Sequence, residues 1–277
     1  MSTLDLIYLT ENMPETNQKI VALEQSISAG GPATNAAVTF NYLGNKANLL
    51  TVIGNHPISN LISQDLEQLS LNIIDLEKNR KETPPVSSII VTKSTGDRAV
   101  ISINATKFQA KKEQLSKDIL KNIEIVLIDG HQMEISAEIA RQAKAKNIPV
   151  VIDGGSWKKN FDTVLPYVDY AVCSSDFYPP NCCDRPAVLN YLEKFNIPHI
   201  AITNGAKAIA YLSRGERGEI TLPLLPDIVD TLGAGDIFHG AFCHYILQHN
   251  FKQALTESAK IASQSCQFFG TRKWLEK

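Results

Sequence analysis

The feature that most constrains this chain is a rhythm. From about residue 33 onward, short β-branched apolar runs alternate with segments whose apolar residues recur at helical spacing. Runs such as IVLI at 125–128 are apolar without interruption, which fits strands covered on both faces. Such strands alternating with helices specify βαβ units around a parallel sheet. The spacing predicts helices over Ala33–Leu43, Ile58–Leu69, Lys112–Lys121, Glu134–Lys146 and Pro186–Phe195. It predicts strands over Ala47–Ile53, Glu124–Asp129, Pro149–Asp153, Tyr167–Cys173, His199–Thr203 and Ala208–Leu212. Two stretches break the rhythm. Val86–Thr92 and Arg98–Ile103 flank the turn-rich KSTGD and read as an antiparallel hairpin, while Asp5–Ser28 lacks a helical period and carries Pro14 in a polar loop. Together they form a small β lid over about 5–30 and 85–104. The expected fold class is α/β: a three-layer α/β/α sandwich with a mostly parallel central sheet plus that lid. A single domain over 1–277 is expected, because no repeat, low-complexity tract or long linker divides the chain.

Composition narrows the function. With 44% hydrophobic and 20% charged residues the chain builds a sizeable core. A net charge of -2 with scattered Lys and Arg argues against a nucleic-acid partner. Five cysteines without a C-x-x-C pair read as reduced thiols of a cytoplasmic protein. The start MSTLDLIYL lacks a basic n-region and no apolar run is long enough to span a bilayer, so neither export nor a membrane is expected. Histidines are dispersed, and Cys182–Cys183 is too isolated to ligate zinc.

The stretch DTLGAGDIFHG at Asp230–Gly240 carries chemistry. Apolar residues at 237, 238, 241, 242, 245 and 246 mark one buried helix face, so the small residues Gly233, Ala234 and Gly235 stand at a helix start. There, unpaired amides and the positive end of the helix dipole can receive an anion, and missing side chains let it approach. Asp236, in the first turn, would then be a base beside a phosphate seat, the arrangement that phosphoryl transfer to an alcohol requires. The same residues also fit a simple turn in which Asp236 satisfies local N–H groups.

DTLGAGDIFHGAF resembles the C-terminal signature of the ribokinase-like (PfkB) family of sugar and nucleoside kinases, and GGPATNAAVTFNYLG at Gly30–Gly44 resembles that family's second signature, a Gly-Gly pair followed by Asn. The lid falls where the family keeps its own. The resemblance implies a Rossmann-like, ribokinase-like fold and an ATP-dependent carbohydrate kinase phosphorylating a primary hydroxyl of a small sugar. Its spacing and LDLIY start look most like the ketohexokinase and sulfofructose kinase branch. It makes Asp236 the catalytic base and Gly233, Ala234 and Gly235 the anion hole. It assigns Asp5, Gly30, Gly31 and Asn35 to the sugar, and Thr203, Gly205 and Gly270 to the nucleotide. ATP and Mg²⁺ are the implied cofactors, with a monovalent cation as a further expectation, and a homodimer through the lid is the implied assembly.

Two departures stand out. CSSDF replaces the family's Asn-x-x-Glu, leaving Asp176 as the acidic residue for the metal. Met1 stands only four residues ahead of Asp5, so a version extended by native upstream codons is expected to be more stable. His131 and Asp153 occupy predicted strand ends, where open α/β sheets bind ligands but where ordinary loop roles are common. Lys19 and Arg98 lie on the lid, where cations could meet an anionic sugar substituent. A nucleoside kinase of the same fold and a catalytically silent sugar- or nucleotide-binding relative are the alternatives. The former is disfavoured by a lid whose lone aromatic is Tyr8.

Overall fold

The computed structural model describes residues 1–103, 108–222 and 227–276. The chain divides into two compact units: 1–105, 225–241 and 259–277 form the first, and 106–224 with 242–258 the second. Asn104 and Lys277, where the expected lid and domain end, lie outside the described residues.

In the first unit, β1 (Thr3–Thr10), β2 (Glu24–Gly30), β5 (Val86–Thr92) and β6 (Arg98–Ser102) make a four-stranded sheet in the order β2-β1-β5-β6. This is the lid anticipated from the hairpin and the N-terminal stretch. β1 is antiparallel to β2 and parallel to β5, with Asp5 opposite Ser28 and Ser87. Because paired residues share a face, Asp5, Ser28, Ser87 and Ser102 form one polar row across the sheet. The next two rows on that face are apolar on the two central strands. Ile7, Leu9, Ile89 and Val91 pack with Phe269 in a buried cluster.

The unit also holds a separate parallel pair, β3 (Asn48–Thr51) with β4 (Asn72–Asp75), and the helices α1 (Pro32–Tyr42) and α2 (Ser59–Gln68). α1 starts on Pro32, whose fixed φ suits a first turn, after Gly31 at φ 98. A second core of Leu4, Ala29, Val38, Leu49, Ile53, Ile62, Leu66 and Leu71 holds these helices against β1 and β2.

The second unit contains a six-stranded sheet in the order β12-β11-β10-β9-β8-β7. Its strands are β7 (Val126–Ile128), β8 (Val150–Gly154), β9 (Tyr170–Ser174), β10 (His199–Asn204), β11 (Lys207–Ser213) and β12 (Glu216–Ile220). β7 to β10 pair in parallel and the last two antiparallel, the mostly parallel α/β sheet expected. α3 (Met133–Ala145) and α4 (Arg185–Glu193) follow β7 and β9, and the Asp184 side chain caps α4 by accepting from the Ala187 amide at 2.8 Å. α5 (Ala234–Ile246) and α6 (Phe251–Ser265) complete the chain. No helix among the described residues is long and apolar enough to cross a membrane.

One expected helix is absent. Lys112–Lys121 forms only a short 3₁₀ turn over Lys112–Gln114, after which Leu115 is extended at ψ 128. The Ser116 hydroxyl accepts from the Asp118 amide at 3.3 Å, a local bond that competes with the helical ladder where only three apolar residues favour it. β4 and β12 were not anticipated. β12 reads ERGEI, polar and half exposed, a charged edge strand without the apolar signal of its neighbours.

Candidate functional site

The site is assembled in the first unit by a close crossing of two helices. A Cβ on Gly240 of α5 would lie 2.2 Å from the carbonyl oxygen of Ala36 on α1, so only glycine lets the two backbones meet. Asn35 precedes Ala36 and Asp236 lies one helical turn before Gly240, so the crossing brings these two side chains together. The Asn35 Nδ2 donates to Asp236 Oδ2 at 2.8 Å. Asp236 is half-buried rather than turned out to solvent, and Asn35 is buried.

The loop ahead of α5 is held from below. Asp230, buried, accepts from the Leu232 amide at 2.8 Å and from the Gly270 amide at 2.9 Å. Burial raises its pKa, and those two amides work against the rise. Gly233 then turns the chain at φ 71, and a Cβ there would stand 2.8 Å from Thr271 Cγ2. α5 begins at the next residue. The Ala234 amide makes a long turn bond of 3.3 Å to the Thr231 carbonyl, whereas the amides of Gly233 and Gly235 donate to no carbonyl among the described residues. Gly235 is exposed, with nothing within 4 Å of an added Cβ. Its carbonyl lies 2.7 Å from His239 Nδ1. The helix start is therefore open at two amides out of three.

The Asp5 carboxylate lies against Gly30, which pairs with Thr3; a Cβ on Gly30 would stand 1.8 Å from Asp5 Oδ2, so this glycine makes room for the carboxylate. Thr3 Oγ1 donates to Asp5 Oδ1 at 2.7 Å. Burial raises the Asp5 pKa; hydrogen bonds from Thr3 and Ser87 and the charge of Arg272 pull the other way. Gly31 serves the backbone, its φ of 98 placing it 2.5 Å, by an added Cβ, from the Met1 carbonyl.

Sequence reasoning missed Arg272. Its Nη1 donates to Asn35 Oδ1 at 3.0 Å, to the Thr271 carbonyl at 3.2 Å and to Thr271 Oγ1 at 3.1 Å. Its Nη2 donates to the Ala29 carbonyl and stands 3.6 Å from Asp65 Oδ2. The serine row of the lid was missed as well: Ser87 Oγ and Ser102 Oγ are 3.2 Å apart, and Ser28 Oγ and Thr271 Oγ1 are 3.5 Å apart. Alternation within each strand was a usable signal for the serines, since Asp5 and Ser28 both fall on strands assigned to the lid. Nothing near Arg272 in the sequence marks it.

The remaining expected residues lie as follows. Gly270, at φ 75, donates its amide to Asp230 and so braces the loop. In the second unit, Thr203 is the last but one residue of β10, its hydroxyl donating to the Cys173 carbonyl at 3.3 Å, and Gly205 follows in the turn at φ 55 with open space around it. Asp176 is exposed beyond the end of β9. Among the described residues no group of three His, Cys, Asp or Glu could hold a metal. His131 is buried with its amide on Asp129 Oδ1 at 3.1 Å and its ring 3.3 Å from the same oxygen, the loop role rather than a ligand's. Asp153 is buried in β8, and the neighbouring Gly154 packs where a Cβ would meet Cys173 Sγ at 2.5 Å. Lys19 is exposed, and Arg98 Nη1 donates to Thr231 Oγ1 at 2.5 Å.

Chemically, the first unit offers a carboxylate fixed by an amide, two open amides at a helix N-terminus, and a row of hydroxyls with a second carboxylate, Asp5, between Ser28 and Ser87. That set can bind a polyol, accept a proton from it and hold an anion.

Known proteins resemble this chain over most of its length. The family model described as "pfkB family carbohydrate kinase" matches residues 2–277. A deoxyribokinase of Salmonella typhi is 26% identical over 277 aligned residues, covering 92% of this chain and 87% of that protein. The solved ribokinase of Thermotoga maritima superposes with a TM-score of 0.80 at 22% identity, covering 99% of this chain and 95% of that one. The Arabidopsis thaliana ribokinase solved with ribose and ATP gives 0.76 at 20% identity, covering 100% and 96%.

Proposed function

We infer the function from a plain premise: this chain belongs to the pfkB family of carbohydrate kinases. It is an ATP-dependent sugar kinase. The reaction we assign is transfer of the γ-phosphoryl group of ATP to a primary hydroxyl of a small sugar. The observation that carries the assignment is the 2.8 Å bond that fixes Asp236 beside the open N-terminus of α5. Asp236 receives the proton of the attacking hydroxyl, and that hydroxyl's oxygen forms the new bond to phosphorus as the bond to the departing ADP oxygen breaks. The amides of Gly233 and Gly235, with the α5 dipole, stabilise the charge on the transferring group, and Ala234 shapes the turn. Asp5 accepts from sugar hydroxyls, with Ser28, Ser87 and Ser102 beside it. Gly30 and Gly31 leave room for the ring, and Asn35 holds the base. Thr203 and Gly205 are assigned to the nucleotide, on the openness around Gly205, and Gly270 to the loop brace.

Mg²⁺, when bound with ATP, neutralises phosphate charge. Because this ion commonly keeps waters and takes one or two carboxylates, the exposed Asp176 is the side chain that would contact it. All five cysteines are free of disulfides, which fits a cytoplasmic setting. ATP consumption against a panel of pentoses, hexoses, ketoses and nucleosides tests the assignment. Turnover highest on a free sugar is the expected result; turnover highest on a nucleoside, or none at all, overturns it.

The outer lid face supports a dimer with a second copy. Leu6, Ile27, Ser88 and Ile101 share that face, and Ile27 and Ile101 are 52% and 73% exposed. Apolar exposure beside two edge strands favours a lid-to-lid homodimer. Light scattering is expected to give twice 30.5 kDa, falling to the single mass in Ile101→Lys. A parent protein of single mass counts against this assembly.

A further inference from the structure

We propose that Arg272 is a positioning residue for phosphoryl transfer: it fixes the orientation of the Asn35 amide and, through it, the Asp236 carboxylate. The proposal rests on the sugar-kinase assignment above, in which Asp236 is the base. Its geometric content is a chain of two hydrogen bonds, Arg272 Nη1 to Asn35 Oδ1 at 3.0 Å and Asn35 Nδ2 to Asp236 Oδ2 at 2.8 Å.

The order of donors and acceptors in that chain allows one arrangement. A guanidinium only donates, an ionised carboxylate only accepts, and an amide does both at opposite ends. With Arg272 on one side, the atom of Asn35 that faces it must be the oxygen, so the NH₂ group is presented to Asp236. Rotating the amide by half a turn would set NH₂ against the guanidinium and oxygen against the carboxylate, and both contacts would repel. Without Arg272 the two orientations of Asn35 lose that distinction on one side, and Asp236 loses part of its restraint.

Arg272 is itself held rigidly enough to act this way. Nη2 donates to the Ala29 carbonyl, Asp65 Oδ2 stands 3.6 Å away, and Asp65 accepts in turn from the Ala29 amide at 2.9 Å. Its side chain is only 16% exposed. The buried Nε has no partner among the described residues. Burying a guanidinium with an unsatisfied N–H is costly, and an apolar side chain of similar volume would fill the space more cheaply. A role confined to packing leaves that cost unexplained, whereas orienting the base explains it. Burial lowers the Arg272 pKa, while Asp65, Asp5 and Asp236 oppose that shift and favour the charged donor.

The test is a double-mutant cycle on the full chain, read in kcat at saturating ATP and sugar, with crystal structures of the variants. Arg272→Ala is expected to lower kcat by at least about tenfold with the KM for ATP within about twofold. Arg272→Lys is expected to recover part of the loss, because an ammonium can still donate to Asn35 Oδ1. In an Asn35→Ala background the Arg272→Ala change is expected to cost less than about twofold, since the relay is already cut. In crystals of Arg272→Ala, the Asn35 amide is expected to leave Asp236 or to lose its single orientation.

The proposal is overturned if folded Arg272→Ala keeps its kcat, if the same factor is lost with and without Asn35, or if its crystals retain the native Asn35–Asp236 contact. Should Arg272→Ala fail to fold, Arg272→Lys enters the same cycle. A parent protein that phosphorylates no sugar defeats the kinase assignment instead, and the crystallographic arm still decides the role of Arg272.

Discussion

Asp236→Asn is expected to lower kcat by about 10²–10⁴-fold while leaving the KM for ATP nearly unchanged. The replacement is close to isosteric, and its amide oxygen can still accept from Asn35 Nδ2 at the position Oδ2 now occupies. Helix α5, the Gly240 crossing and the open amides of Gly233 and Gly235 should therefore survive. What is lost is a group able to take the proton of the sugar hydroxyl. Steady-state kinetics with ATP and sugar varied separately checks this, with thermal melting to confirm the fold. Near-normal turnover would remove Asp236 from its role and, with it, the assignment of chemistry to this helix start.

Asp5→Asn is expected to move stability and sugar binding in opposite directions. Burial is the largest influence on Asp5 and raises its pKa above 3.8, so the folded protein favours the protonated form more than the unfolded chain does. Stability that this group contributes at low pH is thus lost as pH rises from about 3.8 through the folded-state value, and stays lost at neutral pH. A neutral amide removes that cost while keeping an oxygen for Thr3. The melting temperature of Asp5→Asn should exceed that of the parent at pH 7, with the difference vanishing toward pH 3.8. Sugar binding should weaken, because a hydrogen bond to a charged acceptor contributes about 1.5–3 kcal/mol, or about 10–150-fold in KM. Equal melting temperatures at pH 7 would contradict the burial argument, and an unchanged sugar KM would remove Asp5 from the binding row.

The residues that make this site were legible to different depths. DTLGAGD and the Gly-Gly-x-x-x-Asn stretch declare themselves because their requirements are local: a turn at positive φ, a helix start without side chains, a carboxylate in the first turn. The parallel strands β7 to β10 declare themselves through unbroken apolar runs, since hydrophobic burial on both faces leaves a one-dimensional trace. Where the signal was weak, local chemistry won: Ser116 bonded its neighbour's backbone and the expected helix over Lys112–Lys121 did not form.

By itself the sequence determined the α/β class, the small β-sheet, and a helix start bare of side chains with Asp236, the carboxylate we assign as base, in its first turn. Tertiary structure decided how that carboxylate is held. Asp236 meets Asn35 across 201 residues of chain because Gly240 lets two helix backbones touch, and Asn35 meets Arg272 across 237. Contacts of that kind leave no periodicity or spacing behind. They depend on where packing carries distant segments, and a hydrogen bond between side chains forms only once the backbone has placed both within about 3 Å.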